Sequence, residues 1–413
     1  MRPRAGQFRT LDNRVFIMSL GWMVSSAGFA MVIPFLSIYF HEHMGLSMSA
    51  IGLFFGFTAV LRAVPQPVAG WLSDRVGRVP IMGVSQILRS LTFAGVGYAI
   101  MSGSGFPLIA LFISFNYIFG AVLDPAAKAM IADVVSRDQR VAAYGLLRIG
   151  GNLGWALGPA LGGFVSDKSF STLFYIAGAM TAISGVYFLV TLKDVPNRNG
   201  TRPMAGFRWR DIIDVRQDPL LLRHCLIAFV LFLVVAQLIA TLSVYTTETV
   251  GISRSQLGIL YAINGFMVVF LQLPISSLLR RVSLTGQLAS GALVYAIGYF
   301  LVGLAAGFPF LVFCMVVITI GEMMISPPSL ALVANLSSPE AYGRYMGIFG
   351  FFYTSGWSLG PTLGGLLLDV FASRPLMIWT GISLLAMVAG LLYIRFSRRL
   401  SEVQNSSVRI GSE

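Results

Sequence analysis

The sequence predicts an all-α membrane protein, with twelve transmembrane helices in two pseudo-symmetric six-helix bundles. Three observations predict it. Apolar runs long enough to cross a bilayer recur along the chain, arginines crowd into alternate links between those runs, and one half of the chain repeats the other.

The apolar runs dominate the composition. Of 413 residues, 56% are hydrophobic and 11% charged, with a mean hydropathy of +0.78, whereas a soluble domain carries about 25% charged residues. A helix needs about 20 apolar residues to cross a hydrocarbon core of ~30 Å. Runs of that kind lie at 15–40, 47–73, 80–101, 107–132, 140–166 and 170–193 (spans 1–6). Six more follow at 220–246, 253–279, 284–306, 308–335, 342–368 and 374–396 (spans 7–12). Spans 2, 4, 5, 8, 10 and 11 are the least purely apolar, which makes them the candidates to face a cavity.

The charges sort by link. Arg2, Arg4, Arg9 and Arg14 precede span 1, Arg75 and Arg78 follow span 2, and Arg137 and Arg140 follow span 4. Arg198, Arg202, Arg208, Arg210 and Arg216 fill the link between spans 6 and 7; Arg280, Arg281, Arg344, Arg395, Arg398, Arg399 and Arg409 continue the pattern. The alternate links hold only Lys168, Arg254 and Arg374. Positive charge retained on the cytoplasmic side produces this alternation, so both termini are expected in the cytoplasm, with a bacterial inner (plasma) membrane as the expected location. The net charge of +12 then reports topology and contact with anionic membrane lipids, not nucleic-acid binding.

The repeat sets the domains. Displaced by 202 positions (Gly158 onto Gly360), segment 125–167 lies on 327–369 without a gap. Pro125 meets Pro327, Gly154-Trp155 meets Gly356-Trp357, Leu157-Gly158-Pro159 meets Leu359-Gly360-Pro361, and Asp167 meets Asp369. A displacement of 206 pairs Gly52 with Gly258, Gln66 with Gln272 and Arg75 with Arg281. Spans 4–5 therefore recur as 10–11, and span 2 as 8. The reading is an N-terminal bundle at 1–193, a cytoplasmic linker at 194–219 with a short surface helix near 207–215, a C-terminal bundle at 220–396 and a polar cytoplasmic tail at 397–413.

Cys225 and Cys314 both fall inside apolar spans and read as small buried side chains rather than a disulfide. The first apolar run is too long for a cleavable signal. The Asn199-Gly-Thr and Asn335-Leu-Ser sequons lie on the predicted cytoplasmic side. His41 and His43 alone do not make a metal site, so no metal and no cofactor are expected. There is no phosphate-binding loop, nucleophile elbow or paired catalytic acid, so neither an enzyme nor an ATP-driven pump is expected.

The link after span 2 reads Gly70-Trp-Leu-Ser-Asp-Arg-Val-Gly-Arg78. It resembles the loop signature of the major facilitator superfamily, Gly-x-Leu-x-Asp-Arg-x-Gly-Arg-Arg/Lys, departing only at Val79. Span 5 carries Gly154-x-x-x-Gly158-Pro159-x-x-Gly162-Gly163, similar to the helix motif of the superfamily's drug:proton antiporters, and span 1, with Gly28-Phe-Ala-Met-Val-Ile-Pro34, is similar to their opening helix. The resemblance implies parallel repeats, a substrate site near the midplane, alternating access and a monomer by family default. It also implies that span 5 packs against span 8. Gly70, Asp74, Arg75, Gly77, Arg78 and Asp133 are the candidate cytoplasmic gate, in which Asp74, Arg78 and Asp133 form a charge cluster. Plain positive-inside anchoring by Arg75 and Arg78 is the alternative. Retention by duplication, as packing, is the alternative for Gly154, Gly158, Pro159, Gly162 and Gly163, because span 11 repeats them.

Ionisable groups at membrane depth are costly and mark function. Glu322, central in span 10 and without a base within a helical turn, is the candidate proton carrier. Asp124 is the second candidate: Lys128, four residues on, shares its helix face, and Arg148 lies at similar depth, so a compensated network is expected. Arg62 and Gln66 of span 2 are expected to face the cavity, where Arg62 attracts an anionic or electron-rich group. Arg89, on span 3, is expected at the periphery, snorkelling to headgroups or touching span 2. The arginine that many relatives carry in span 4 has no counterpart here, where Asn116-Tyr-Ile-Phe-Gly120 stands. Tyr117, Asn152, Gln237, Tyr245, Tyr261, Asn264 and Tyr353 complete the candidate cavity set with Lys128 and Arg148.

The functional expectation is a secondary active transporter exporting small amphipathic or drug-like compounds, with a small-molecule substrate, protons and membrane lipids as partners. Its rivals are a gradient-independent carrier or lipid/lysophospholipid flippase of the same fold, and a non-transporting sensor.

Overall fold

The structure is a computed structural model that describes residues 11–63, 65–136, 139–194, 218–337 and 342–407. Arg137, the linker helix expected near 207–215, and the arginines at 2–9, 198–216 and 409 lie outside the described residues.

Helices carry every apolar run, and no strand occurs among the described residues. Span 1 is Asn13–Glu42, begun by Asp12, whose carboxylate accepts from the Arg14 backbone at 2.9 Å. Span 2 is carried by Met48–Ala63 and Pro65–Val76. Span 3 is Arg78–Met101, span 4 Phe106–Val134, span 5 Arg140–Ser166 and span 6 Phe170–Thr191. Span 7 begins at Pro219 behind the capping carboxylate of Asp218 and runs to Val235. It continues to Thr249 through a 3-10 turn, tighter than the α-helix, a short α turn at Thr241–Val244 and a wider π turn. Span 8 is Arg254–Leu278, span 9 Leu284–Val302, span 10 Phe308–Leu336, span 11 Tyr342–Val370 and span 12 Pro375–Ser397. Pro107, Pro309 and Pro375 sit in the first turn of spans 4, 10 and 12, where the missing N–H leaves nothing unsatisfied. Among the described residues, nine helices are long and apolar enough to cross a membrane.

Polarity is distributed as a bilayer requires. Ile183, Val186 and Val190 of span 6 and Leu384, Val388 and Leu391 of span 12 are exposed, while Gln86, Arg89, Asn116, His224 and Gln237 are buried. In water the first set would cost hydrophobic free energy; in hydrocarbon it costs none, and the polar groups are the ones that must be enclosed.

The helices cluster into two compact units. The first holds spans 1 and 3–6, span 2 from Phe57 onward, and Ser253–Val269 of span 8; the second holds Gly45–Gly56, spans 7 and 9–12, and span 8 from Phe270. In the first unit span 5 lies along span 1 and span 3 along span 6; in the second, span 7 pairs with span 11 and span 9 with spans 10 and 12. Each unit thus contains a piece of helix from the other half of the sequence.

Candidate functional site

At the arginine-rich end of the first unit, Arg78 is buried. Its Nη1 donates to Ser73 Oγ at 2.7 Å and its Nε to Asp133 Oδ2 at 3.3 Å. The turn before it needs Gly77, at φ +112°. The Arg78 and Val79 amides donate to Asp194 Oδ1 at 2.8 and 3.3 Å. Asp194, at the end of span 6, thus caps span 3. The gate reading did not include it; the sequence signal is an acid just past the last apolar turn. Arg75 is exposed. The surroundings of Gly70 and the side chains of Asp74 and Gln66 lie outside the described residues.

Along span 4, Lys128 Nζ donates to Asp124 Oδ2 at 2.6 Å. Arg148 is exposed and makes no ion pair with Asp124 among the described residues, so the expected three-member network is a two-member pair. Asn152 is half-buried nearby on span 5.

Arg89 departs from expectation. It is buried rather than peripheral, because span 4 makes room for it: a Cβ on Gly120 would stand 3.0 Å from its Cζ. Its Nε donates to Asn116 Oδ1 at 3.1 Å, Asn116 Nδ2 donates to Thr92 Oγ1 at 2.9 Å, and the guanidinium lies 4.5 Å from the centroid of the Phe29 ring. The stretch that lacks a span-4 arginine therefore receives a guanidinium from the neighbouring helix. Tyr117 is half-buried, shares a hydrogen bond with Thr58, and lies within electrostatic range of both Arg62 and Arg89.

In the second unit, Glu322 is half-buried on span 10 and lies within electrostatic range of Tyr295 of span 9. Tyr295 also senses Tyr299 and Tyr353, and its own buried hydroxyl has no hydrogen-bond partner. Gln272, the repeat mate of Gln66, donates to the Met323 carbonyl at 3.0 Å, one residue from Glu322. Tyr353 is exposed with its ring edge-on to Phe232 at 4.3 Å; Tyr261 is buried and Asn264 half-buried.

Three cavity candidates, Gln237, Tyr245 and Tyr261, are buried. Gln237 is fully buried, its Nε2 donating to the Leu233 and Gly360 carbonyls at 2.7 and 2.8 Å and its Oε1 accepting from Thr241 at 2.6 Å. An amide inside an apolar helix must satisfy both ends, and this one does so in the seam with span 11. Tyr245 is likewise buried, edge-on to Trp379 at 5.1 Å. His224, outside the candidate set, is buried, with Nε2 at 3.0 Å from the Ser329 carbonyl oxygen and Nδ1 at 3.3 Å from the Tyr393 hydroxyl.

The glycine motif of span 5 is shared between two helices: span 8, as the family resemblance implies, and span 1. A Cβ on Gly154, Gly158 or Gly162 would overlap the Met23, Ala27 or Met31 backbone of span 1, so that stripe seats span 1. Span 8 meets another face of span 5: Gly258 lies on the Pro159 carbonyl, Gly265 on Ala156, and Gly163 on the Arg254 carbonyl. At the same end, the Arg254 and Ser255 amides donate to the Asp167 carboxylate at 3.2 and 3.1 Å. The second unit repeats this device: Gly52 lies on Pro361 and Thr362, Gly365 on the Met48 carbonyl, and the Met48 and Ser49 amides donate to Asp369 at 3.0 and 2.8 Å.

The family model described as Major Facilitator Superfamily matches residues 18–287 and 225–412. The chain belongs to the major facilitator superfamily. Superfamily relatives match it end to end. An uncharacterized transporter of this type from Bacillus subtilis, YqjV, is 25% identical over 94% of this chain and 95% of its own length. The quinolone resistance protein NorA of Staphylococcus aureus is 24% identical over 95% of this chain and 99% of its own. Among solved structures, a bacterial homologue of the human lysosomal transporter Spinster, inward-facing and unoccupied, aligns with a TM-score of 0.77 at 17% identity, covering 93% of this chain and 96% of that one. A peptide transporter of the POT family in complex with sulfate gives a TM-score of 0.76 at 14% identity over 93% and 94%. This member of the superfamily is accordingly an integral membrane transporter of small molecules and not an enzyme.

Proposed function

We propose that this chain exports small amphipathic or drug-like compounds from a bacterial cytoplasm in exchange for protons, by alternating access. The observation that carries the reading is Glu322, half-buried at mid-span and within electrostatic range of Tyr295, whose buried hydroxyl has no hydrogen-bond partner. A carboxyl in such surroundings can exist in either protonation state without unfolding its helix, as a proton carrier requires. The end-to-end similarity to a quinolone resistance protein supports export and a drug-like substrate.

In this scheme the two sequence halves, 1–193 and 220–396, are the moving bundles, with both termini and the linker in the cytoplasm. Arg78, Asp133 and Ser73, with Asp74, close the cytoplasmic end, while the Asp167 and Asp369 junctions close the other. Asp124, already paired with Lys128, is the secondary proton site.

Proteoliposomes loaded with a fluorescent substrate test the proposal. An imposed pH gradient should drive transport by the parent chain, and Glu322→Gln should lose about a hundredfold or more of that rate, the lower end of what a positioned proton-transfer group contributes. A variant that keeps its gradient-driven rate makes Glu322 structural. Parent transport that ignores the gradient selects the carrier or flippase reading instead.

A further inference from the structure

The first unit carries guanidiniums at membrane depth on span 2 (Arg62), span 3 (Arg89) and span 5 (Arg148), and among the described residues no carboxylate lies within ion-pair distance of Arg62 or Arg89. We propose that Arg62 and Arg89 form the recognition site for the anionic group, carboxylate or phosphate, of an aromatic solute. The inference rests on the transporter reading above and names its substrate class.

Helix geometry places Arg62 away from the exposed apolar face of span 2. At about 100° per residue, Leu53, Phe57 and Val60 mark one face of Met48–Ala63, and all three are exposed. Arg62 falls opposite them, in line with Ile51, Phe55 and Thr58, which are all buried, yet Arg62 itself is exposed. Its position therefore lies away from the exposed apolar stripe of its helix, and its side chain is not enclosed by protein.

Arg89 is held ready. Asn116 fixes Nε, Phe29 supports the guanidinium plane and Gly120 leaves room beneath it, while neither Nη makes a hydrogen bond among the described residues. Arg62 and Arg89 lie within electrostatic range of each other and of the Tyr117 hydroxyl. Two like charges in low dielectric repel and are costly to enclose; an anion between them removes both penalties and accepts from the planar guanidinium forks. The wall beside them is aromatic: Phe29 meets Tyr117 edge-on at 5.6 Å and Trp155 at 6.2 Å. Apolar area and ring edges for a flat body stand next to cationic donors for its head.

The test is equilibrium binding to the full-length chain in detergent, at one pH and without a gradient, followed by intrinsic tryptophan fluorescence. The probes are 2-naphthoate, 2-naphthyl phosphate and methyl 2-naphthoate, so the carboxylate and phosphate arms separate and the ester supplies the same ring without charge. Both anions should bind at least about tenfold more tightly than the ester, as hydrogen bonds to charged groups require. Arg62→Gln should erase that preference, bringing the anion and ester affinities level. Gly120→Ala, which displaces the Arg89 head without removing it, should weaken the anions selectively and serves where Arg89→Gln does not fold. Equal affinities for anion and ester, an anion preference that survives Arg62→Gln, or no anion binding at all would overturn the proposal. Because no proton gradient enters the measurement, its outcome is independent of the Glu322 experiment.

Discussion

The two junctions at the arginine-poor end use the same parts but not the same reinforcement. In the first unit, Gly163, Pro159 and Asp167 of span 5 receive Gly258 and the first amides of span 8. In the second, Gly365, Pro361 and Asp369 of span 11 receive Gly52 and the first amides of span 2. A carboxylate facing a helix N-terminus satisfies orphan donors and favours the positive end of the helix dipole. Only the first junction adds a clasp: Arg254 donates Nη2 to Glu42 at 2.5 Å and Nη1 to the Ser166 carbonyl at 3.2 Å, and its guanidinium lies 4.4 Å from the Phe170 ring centroid. Among the described residues the second has no ion pair at the equivalent place. The shared parts are what helix contact demands; the clasp is where the duplicated halves have diverged.

The largest effect should come from the part they share most closely. A Cβ on Gly258 would stand 2.5 Å from the Pro159 carbonyl oxygen, and one on Gly52 2.5 Å from that of Pro361. Overpacking of this kind costs about 1–3 kcal/mol. Gly258→Val and Gly52→Val should therefore lower the melting temperature in detergent by similar amounts. A loss confined to one of them would show that the junctions only look alike.

The caps come next. Replacing a capping Asp by Ala costs about 0.5–2 kcal/mol, and the two sites should differ in what remains afterwards. Without Asp369, the tie from the start of span 2 to span 11 is left, among the described residues, with its glycine contacts, whereas without Asp167, Arg254 still ties span 8 to span 1 and to the end of span 5. Cysteines placed at Ser255 and Ser49 report this by their labelling with a polar maleimide, since native Cys225 and Cys314 are buried. Asp369→Ala should accelerate labelling at position 49 more than Asp167→Ala does at position 255, each relative to its parent. Equal acceleration would remove any functional weight from the clasp.

How far the sequence reveals these features depends on what each one is made of. Apolar length and link charge are one-dimensional, and span 5 is predicted and observed over the same residues, 140–166. The pairing of Asp167 with Asp369 is visible as a repeat, but their role is not, because a carboxylate's partner here lies on a helix remote in sequence. The glycine stripe of span 5 shows that something packs closely there without saying what; its periodicity suits span 1 or span 8 equally. Arg89 fails for a related reason. Its burial depends on the space at Gly120 and the amide of Asn116, four residues apart on another helix, a pattern with meaning only once spans 3 and 4 are side by side. Gln237 reads as a cavity group because an amide in an apolar run is conspicuous, while the carbonyls that satisfy it leave no mark in the sequence.

The smallest effect, Glu42→Gln, discriminates most finely. The Arg254–Glu42 pair is partly exposed, with side-chain exposures of 22% and 28%, and pairs of that kind contribute about 0–1 kcal/mol. Alone, Glu42→Gln should barely move the melting temperature, because Ser166 and Phe170 still hold the guanidinium. Combined with Asp167→Ala it should do more than the sum of the two single changes, since each is the other's reserve at one helix end. The double variant should then label at position 255 with an acceleration close to that of Asp369→Ala at position 49, and the excess should shrink at high ionic strength as screening replaces the ion pair. Strict additivity would mean that Arg254 and Asp167 act on separate motions, and the asymmetry between the junctions would have to come from their helices rather than from the clasp.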